Sequence, residues 1–320
     1  MRILAFFRDW MLPIVMILGV SLYYIYINIP ALESTRQFAN TAVSIVQPTL
    51  IFLMLFLTFC RVELHDLRPC RWHVWLLLIQ TLSFILLSLV AIFFCKNNDL
   101  RVLIEAAMLC MICPTATASA VVVRKLGGDV AHNTTYLILI NLVTALVVPA
   151  FVPLVHPQQG IQFVTAFLLI VGKVFPLLLL PLVVAIIVRR LLPKFHGIIM
   201  NYPDLPFYMW SVALLLAMTM TAKTIHNTDI PLLSQIGIAV VSLISCIVQF
   251  YFGRRIGARY SDAITAGQTL GQKNTVLAIW MGYTFFTPIT AIAGGFYSVW
   301  HNVANSYQLY KKRKEDADGV

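Results

Sequence analysis

Residues Ser261 to Trp280 read SDAITAGQTLGQKNTVLAIW, a polar stretch set between two apolar runs. Its last third, Thr275 to Trp280, is apolar enough to form half of a membrane span. The remainder carries Lys273 together with Gly267 and Gly271, and a lysine in mid-span costs about 3 kcal/mol. Irregular backbone at that depth is tolerated only where it is buried in protein or lines a cavity. The stretch therefore predicts an interrupted helix that lines a cavity; a connector outside the membrane is the alternative.

Composition places the whole chain in a membrane. Of its 320 residues, 60% are hydrophobic and 11% are charged. Apolar stretches of about twenty residues recur along it, and this is the length that crosses a hydrocarbon core. We therefore predict an all-α polytopic membrane protein with no soluble domain. The six cysteines are scattered and predict no disulfide framework. Cys110 and Cys113 form a C-x-x-C within a predicted span, where small core residues are expected.

The distribution of basic residues predicts the topology. We predict ten spans, at about 11–29, 41–60, 73–95, 102–123, 131–155, 162–188, 207–226, 231–253, 260–285 and 287–310. With the N-terminus in the cytoplasm, 17 of the 23 Lys and Arg residues lie on the cytoplasmic side and four lie outside. The other two, Lys173 and Lys273, fall within spans. This positive-inside pattern accounts for the net charge of +10 without a nucleic-acid partner. We expect both termini in the cytoplasm and a location in the bacterial inner membrane.

Ten spans divide into two five-span repeats, 1–155 and 156–310, followed by a charged cytoplasmic tail at 311–320. A repeat with an odd number of spans must be inverted, as is common among secondary transporters. Span four is then the counterpart of span nine. Its middle reads CPTATAS from Cys113 to Ser119, and Pro114 removes a backbone donor there. Two polar interruptions at matching places favour a binding site, whereas a proline-kinked helix is the alternative.

Several functional classes find no support in the sequence. The chain contains no G-x-S-x-G, H-E-x-x-H, P-loop or G-x-G-x-x-G motif, so we predict no enzyme and no cofactor. A channel is less favoured than a carrier because no repeat that could form a selectivity filter is present. Glu105 lies near the predicted outer end of span four, and we expect its side chain to reach the membrane interface.

Three segments and one further residue resemble the bile acid:sodium symporter family. Cys113–Phe151 is similar to its span four to five region, and Gly271–Ala278 (GQKNTVLA) to its Gly-x-Gln-Asn-x-x-Leu-Ala. Tyr297–Asn302 (YSVWHN) is similar to its Phe-Ser-Val-Trp-His-Asn, and Gln80 matches its span three glutamine. The resemblance implies ten helices in a panel and a core domain, with spans four and nine broken and crossing. It also implies organic-anion transport coupled to two sodium ions behind the crossing.

The chain departs from the family at the residues that bind sodium, so it resembles a divergent member with degenerate sodium sites. Ala120 stands where the family has asparagine, and Leu137 replaces a span five hydroxyl. Thr269 replaces the bridging glutamate, and Lys273 occupies a glutamine position. Because an ammonium group and a sodium ion repel at close range, we hypothesise that Lys273 replaces one sodium ion. Burial favours the neutral amine, so the hypothesis extends to proton coupling.

The sequence thus predicts a secondary active transporter of an organic anion, bile acid-like or a smaller carboxylate, that works by alternating access. The predicted substrate-binding residues are Thr115, Thr117, Ser119, Lys273 and Asn274. The residual ion-binding residues are Gln80, Ser119, Asn133, Thr269 and Gln272. The altered ligands weaken the case for sodium as the coupling ion. Two alternatives stay open: an arsenite or metalloid efflux carrier that uses Cys110 or Cys113, and a membrane sensor or scaffold without transport.

Overall fold

The computed structural model describes residues 11–62, 65, 67–95, 98–157, 160–202, 205–227 and 231–318. Within these ranges the chain is helical throughout, with 13 α-helices and a short 3-10 segment at Pro30–Thr35. Arg2, Arg8 and Lys96, which contribute to the predicted topology, lie outside the described residues.

Six helices come from the first half of the chain and seven from the second, among the residues described. The first six are α1 (Met11–Ile27), α2 (Arg36–Cys60), α3 (Arg71–Phe93), α4 (Asn98–Ile112), α5 (Ser119–Leu126) and α6 (Val130–Val155). The other seven are α7 (Phe163–Leu191), α8 (Pro193–Met200), α9 (Leu205–Asn227), α10 (Leu232–Ala258), α11 (Ala263–Gly271), α12 (Thr275–Phe285) and α13 (Pro288–Asp318).

The long helices have the length and composition of membrane spans. Six segments qualify within the described residues: Pro30–Cys60, Arg71–Phe93, Val130–Val155, Phe163–Leu191, Leu205–Asn227 and Leu232–Ala258. Large apolar side chains on their outer faces, such as Leu82, Leu146, Leu168 and Ile244, are more than half exposed. Such faces match a hydrocarbon solvent. The chain is an integral multi-pass membrane protein.

Both predicted interruptions are confirmed. The stretch predicted as span four consists of α4 and α5, which are separated by residues 113–118. The stretch predicted as span nine consists of α11 and α12, which are separated by residues 272–274. Pro114 follows α4 almost directly, where it cannot donate the hydrogen bond that would continue the helix. The count of ten spans stays a prediction.

Close packing against α10 positions α11. Gly253 and Gly257 form a G-x-x-x-G pair on α10, a spacing that lets two helices approach closely. A Cβ atom added at Gly253 would lie 2.6 Å from the carbonyl oxygen of Ala266. One added at Gly257 would lie 2.5 Å from the carbonyl oxygen of Asp262. These contacts fix the short α11 helix on its longer neighbour and thereby fix the place at which α11 ends.

The expectation that Glu105 reaches the membrane interface is wrong. Its side chain is 1% exposed and lies between three helices. Arg101 Nε lies 3.0 Å from one carboxylate oxygen, and His156 Nε2 lies 2.9 Å from the same oxygen. The Thr290 hydroxyl donates to the other oxygen at 3.2 Å. Charge-assisted contacts of this kind offset the desolvation of a buried carboxylate, and they tie α4 to the end of α6 and the start of α13.

Candidate functional site

The two interruptions meet and pair through their backbones. Thr115 and Lys273 form an isolated antiparallel bridge. The Ala116 N–H donates to the Gln272 carbonyl at 2.9 Å, and the Asn274 N–H donates to the Pro114 carbonyl at 2.9 Å. Buried backbone groups need such partners because water does not reach them. Each interrupted segment therefore supplies the hydrogen bonds that the other has lost from its helix.

Four helix ends converge on this crossover. Helices α4 and α11 end there, and α5 and α12 begin there. The N-terminus of a helix carries a partial positive charge and the C-terminus a partial negative charge, each about half an elementary charge. The crossover therefore presents two positive and two negative ends within a buried region, which suits it to hold small charged groups of either sign.

Gln80 satisfies the carbonyl end of α4. Its Nε2 donates to the carbonyl oxygens of Ile112 at 3.1 Å and Cys113 at 2.8 Å. The Tyr136 hydroxyl donates to Gln80 Oε1 at 3.0 Å and holds the amide in this orientation. Gln80, one of the predicted ion-binding residues, thus lies at the crossover, where its amide group bonds the protein itself.

We expect Gln80→Leu to destabilise the protein, because it removes the donor to the buried Cys113 carbonyl oxygen; the Ile112 carbonyl oxygen keeps the Thr144 hydroxyl, which donates to it at 3.2 Å. An unsatisfied buried acceptor costs about 1–3 kcal/mol, so the Tm in detergent should fall by several degrees. Tyr136→Phe is the matched control, since it removes a single hydrogen bond to the same amide and should lower the Tm less. Equal Tm values for Gln80→Leu and the unmodified protein would contradict this role.

Three other predicted ion-binding residues form one hydrogen-bonded chain. The Ser119 hydroxyl donates to Asn133 Oδ1 at 2.9 Å, and Asn133 Nδ2 donates to Thr269 Oγ1 at 2.8 Å. All three side chains are fully buried. The chain links α5, α6 and α11 through neutral groups, in which Asn133 Oδ1 and Thr269 Oγ1 each accept one hydrogen bond.

Lys273 is buried without a hydrogen-bond partner. Its side chain is 1% exposed, and its Nζ atom has no partner in the structure. The titratable groups that interact electrostatically with it are the thiols of Cys113, Cys110 and Cys246. Cys110 and Cys113 lie at the end of α4, and Cys246 lies in α10, so the amine points into the interior of the helix bundle. An unpaired buried ammonium is costly, which makes this position a candidate functional site.

The remaining predicted residues lie at the crossover with distinct contacts. The Thr115 hydroxyl donates to the Thr269 carbonyl at 2.6 Å. Asn274 caps α12, because its Oδ1 accepts from the Leu277 N–H at 3.2 Å. Thr117 is 9% exposed and lies two residues before α5 begins. Gln272 is fully buried, and neither atom of its amide has a partner.

Sequence reasoning missed several residues that support the crossover. Gln249 Nε2 donates to the Cys110 carbonyl at 3.2 Å and to the Tyr297 hydroxyl at 3.1 Å. The Tyr297 hydroxyl donates in turn to the Gly271 carbonyl at 2.8 Å. Gln47 Nε2 donates to the Val276 carbonyl at 3.2 Å. A glutamine within an apolar span was the available signal for Gln47 and Gln249, whereas a tyrosine in such a span gives none.

The cysteines at the crossover contact backbone carbonyls. Cys113 Sγ lies 3.0 Å from the Asn274 carbonyl oxygen, and Cys110 Sγ lies 4.0 Å from that of Ala293. All six cysteines are free. Among the residues that the structure describes, no three His, Cys, Asp or Glu side chains are placed to hold a metal ion together. The side chains of Cys110 and Cys113 are both buried.

Comparison with known proteins identifies the family. A comparison with curated proteins gives no match. Residues 9–297 match the profile of the SBF-like CPA transporter family (DUF4137), which is related to the bile acid:sodium symporter superfamily. The match includes both interrupted helix pairs and the crossover between them. The chain belongs to the SBF-like CPA transporter family.

Proposed function

We propose that the chain is a secondary active carrier of a small organic anion and that it works by alternating access. Membership of a transporter family supports this proposal, and the observation that carries it is the position of Lys273. A fully buried amine without a hydrogen-bond partner lies at an antiparallel bridge between two interrupted helices. In transporters built from inverted repeats, helix interruptions at mid-membrane depth form the sites for substrate and coupling ions.

The proposed substrate group is a carboxylate at the N-termini of α5 and α12. Helix N-termini attract anions because their N–H groups and partial positive charge point outward. Hydroxyl and amide groups from Thr115, Thr117, Ser119 and Asn274 surround these ends and would add polar contacts. All four side chains are buried, so the described conformation is closed, and the substrate reaches the site only when the surrounding helices move apart.

We propose that the coupling ion is a proton bound by the Lys273 amine, and that this proton takes the place of a sodium ion. Two positive charges about 4 Å apart repel by about 4 kcal/mol at an effective dielectric constant of about 20. Millimolar binding of an ion corresponds to about 4 kcal/mol, so a protonated Lys273 cancels the binding of a sodium ion beside it. The neutral chain Ser119–Asn133–Thr269 supplies no carboxylate that would restore the attraction.

The proposed architecture has ten spans in two inverted repeats, 1–155 and 156–310, arranged as a panel and a core. Support comes from the corresponding positions of the two interrupted helix pairs, α4–α5 and α11–α12. Hydrogen bonds connect α12 to α2 and α9. Gln47 of α2 donates to the Val276 carbonyl at 3.2 Å. The Tyr283 hydroxyl donates to the Met220 carbonyl of α9 at 2.8 Å and is also hydrogen-bonded to Thr224. Separation of α12 from α2 and α9 requires that these bonds break.

Transport assays in proteoliposomes test the proposal. Radiolabelled taurocholate and a series of small carboxylates would be offered under an inward sodium gradient and, separately, under an inward proton gradient. We expect accumulation of a carboxylate with the proton gradient in sodium-free buffer. Accumulation driven by sodium alone would contradict the role of Lys273.

The absence of flux and counterflow for every anion, with the protein folded, would contradict the carrier function and favour a sensor or scaffold. Arsenite flux that is lost in Cys113→Ala would favour metalloid efflux.

A further inference from the structure

A second group of polar side chains, separate from the chain Ser119–Asn133–Thr269, lies buried between α11 and α13. We call it the buried polar row, and its members are Gln268, Gln272, Ser298, His301 and Asn305. Each is at most 5% exposed. Each also has a buried side-chain atom without a hydrogen-bond partner: Gln268 Oε1, both amide atoms of Gln272, Ser298 Oγ, both ring nitrogens of His301 and Asn305 Oδ1.

Helical spacing places these residues in a continuous line. On α13, residues 298, 301, 305 and 308 follow steps of three and four, so they share one face. At 1.5 Å per residue the line extends for about 15 Å. Gln268 lies on α11 and Gln272 directly follows that helix, and the Gln272 N–H still donates to the Gln268 carbonyl at 2.9 Å. The two glutamines therefore share the face of α11 that meets α13 through Gln268 and Gln308.

One end of the buried polar row lies beside Lys273. Gln272 is its neighbour in sequence, and Tyr297, which precedes Ser298 on α13, donates to the Gly271 carbonyl at 2.8 Å. The ring centroids of Tyr297 and His301 are 5.7 Å apart in an edge-to-face arrangement. A hydrogen bond and a ring contact thus connect Gly271, two residues before Lys273, to His301 in the middle of the row.

The other end opens to solvent. Gln268 Nε2 donates to Gln308 Oε1 at 3.0 Å, and Arg254 Nη2 donates to the same oxygen at 2.7 Å. Arg254 is exposed and Gln308 is partly exposed. The ionisable groups that face the route are Lys273, Cys110, Cys113, Cys246, Tyr297, His301 and Arg254. This end lies near the α13 C-terminus, on the predicted cytoplasmic side.

We propose that the buried polar row holds a chain of water molecules that carries protons between Lys273 and the cytoplasmic side. Buried polar atoms without protein partners are normally satisfied by internal water, which makes about three hydrogen bonds per molecule. Amide, hydroxyl and imidazole groups both donate and accept hydrogen bonds, so they bind water without requiring an ion. The role of this water in proton-coupled transport rests on the proposed function. The presence of the water in the row does not depend on that function.

Thiol labelling in sealed vesicles tests for the water chain. The variants are Ser298→Cys, His301→Cys and Asn305→Cys, and a charged, membrane-impermeant thiol reagent is added from either side. Peptide mass spectrometry reports the modification at each position, so the native cysteines can remain. We expect all three thiols to react from the cytoplasmic side and about tenfold or more faster than a thiol that faces lipid, because a charged reagent reaches only hydrated positions.

Val303→Cys is the matched control. Val303 lies on the same helix and is 59% exposed on its outer, apolar face, so its thiol should react slowly from both sides. Ser298→Cys exchanges a single side-chain atom and carries the test if the His301 variant does not fold. Thiols in the row that react no faster than the one at position 303, or that react only from the opposite side, would overturn the proposal.

A transport assay tests the proton step separately. Asn305→Leu should slow uptake driven by a pH gradient by about fivefold or more, because a break in a hydrated chain interrupts proton transfer along it. Exchange of labelled for unlabelled substrate at equal pH should stay unchanged, since it moves no net proton. If Asn305→Leu slows the exchange as much as it slows the uptake driven by a pH gradient, the proposed role of the buried polar row in proton transfer is wrong. Rapid labelling without transport of any anion would overturn the proposed function and leave the water chain in place.

Discussion

Lys273→Gln is expected to reduce substrate flux in sodium-free buffer by about tenfold or more, because each 1.4 kcal/mol of lost interaction corresponds to a factor of ten. The substitution removes the positive charge at the crossover and introduces the residue type found at the corresponding position of bile acid:sodium symporters. If the amine replaces a sodium ion, added sodium should restore part of the flux in the variant and have no effect on the unmodified protein. Uptake into proteoliposomes with and without sodium measures both effects.

Lys173→Gln is the matched control for this experiment. Lys173 is also a lysine within a long apolar helix, but it lies on α7 with its side chain exposed, away from the crossover. Its replacement should leave flux and ion dependence unchanged. If Lys273→Gln leaves both the flux and the ion dependence as they are in the unmodified protein, the idea that Lys273 replaces a coupling ion is wrong.

The second large effect is expected from Gly257→Val. A Cβ atom at this position would lie 2.5 Å from both the Asp262 carbonyl oxygen and the Ala266 side chain. Backbone atoms at such distances must move, and overpacking costs about 1–3 kcal/mol or more. Because α11 is held against α10 here, we expect a lower Tm in detergent, and we expect loss of transport in whatever fraction stays folded. Thermal unfolding and size-exclusion chromatography measure the first effect.

Gly172→Val provides the comparison. Gly172 lies within α7, and a Cβ atom there would meet nothing within 4 Å. Both variants replace a helical glycine by the same β-branched residue, so their intrinsic helix propensities change equally. The difference between their Tm values reports the packing of α10 on α11. Tm values that fall by the same amount in the two variants would show that this packing contributes little.

Sequence reasoning located the crossover because the signals there are local. Pro114 breaks hydrogen bonding wherever it lies in a span, and Lys273 is costly in any lipid-facing helix. The predicted inverted repeat then related the position of Pro114 in span four to that of Lys273 in span nine. The same reasoning could not reveal that Asn133 joins Ser119 to Thr269, because such pairings depend on how helices rotate about their axes. Rotation is set by packing between distant segments rather than by local composition.

Glu105 is a residue whose burial the sequence did not predict. A carboxylate near the end of a span is ordinarily expected at the interface, and its position alone gives no reason to expect burial. Arg101 lies one turn away on the same helix, whereas His156 and Thr290 are brought beside Glu105 only by the fold. Distance along the sequence therefore hides two of the three partners that stabilise the buried charge.

The pairing at the crossover has a consequence for how such carriers diversify. Main-chain atoms of Pro114, Ala116, Gln272 and Asn274 make the hydrogen bonds that join the two segments, and nearly any residue can supply such atoms. Side chains beside these backbone hydrogen bonds can consequently be exchanged while the pairing of the two segments persists. A lineage could trade a metal-ion cage for a tethered amine, or the reverse, by a few substitutions, and an engineer could attempt the same conversion starting from Thr269→Glu and Lys273→Gln.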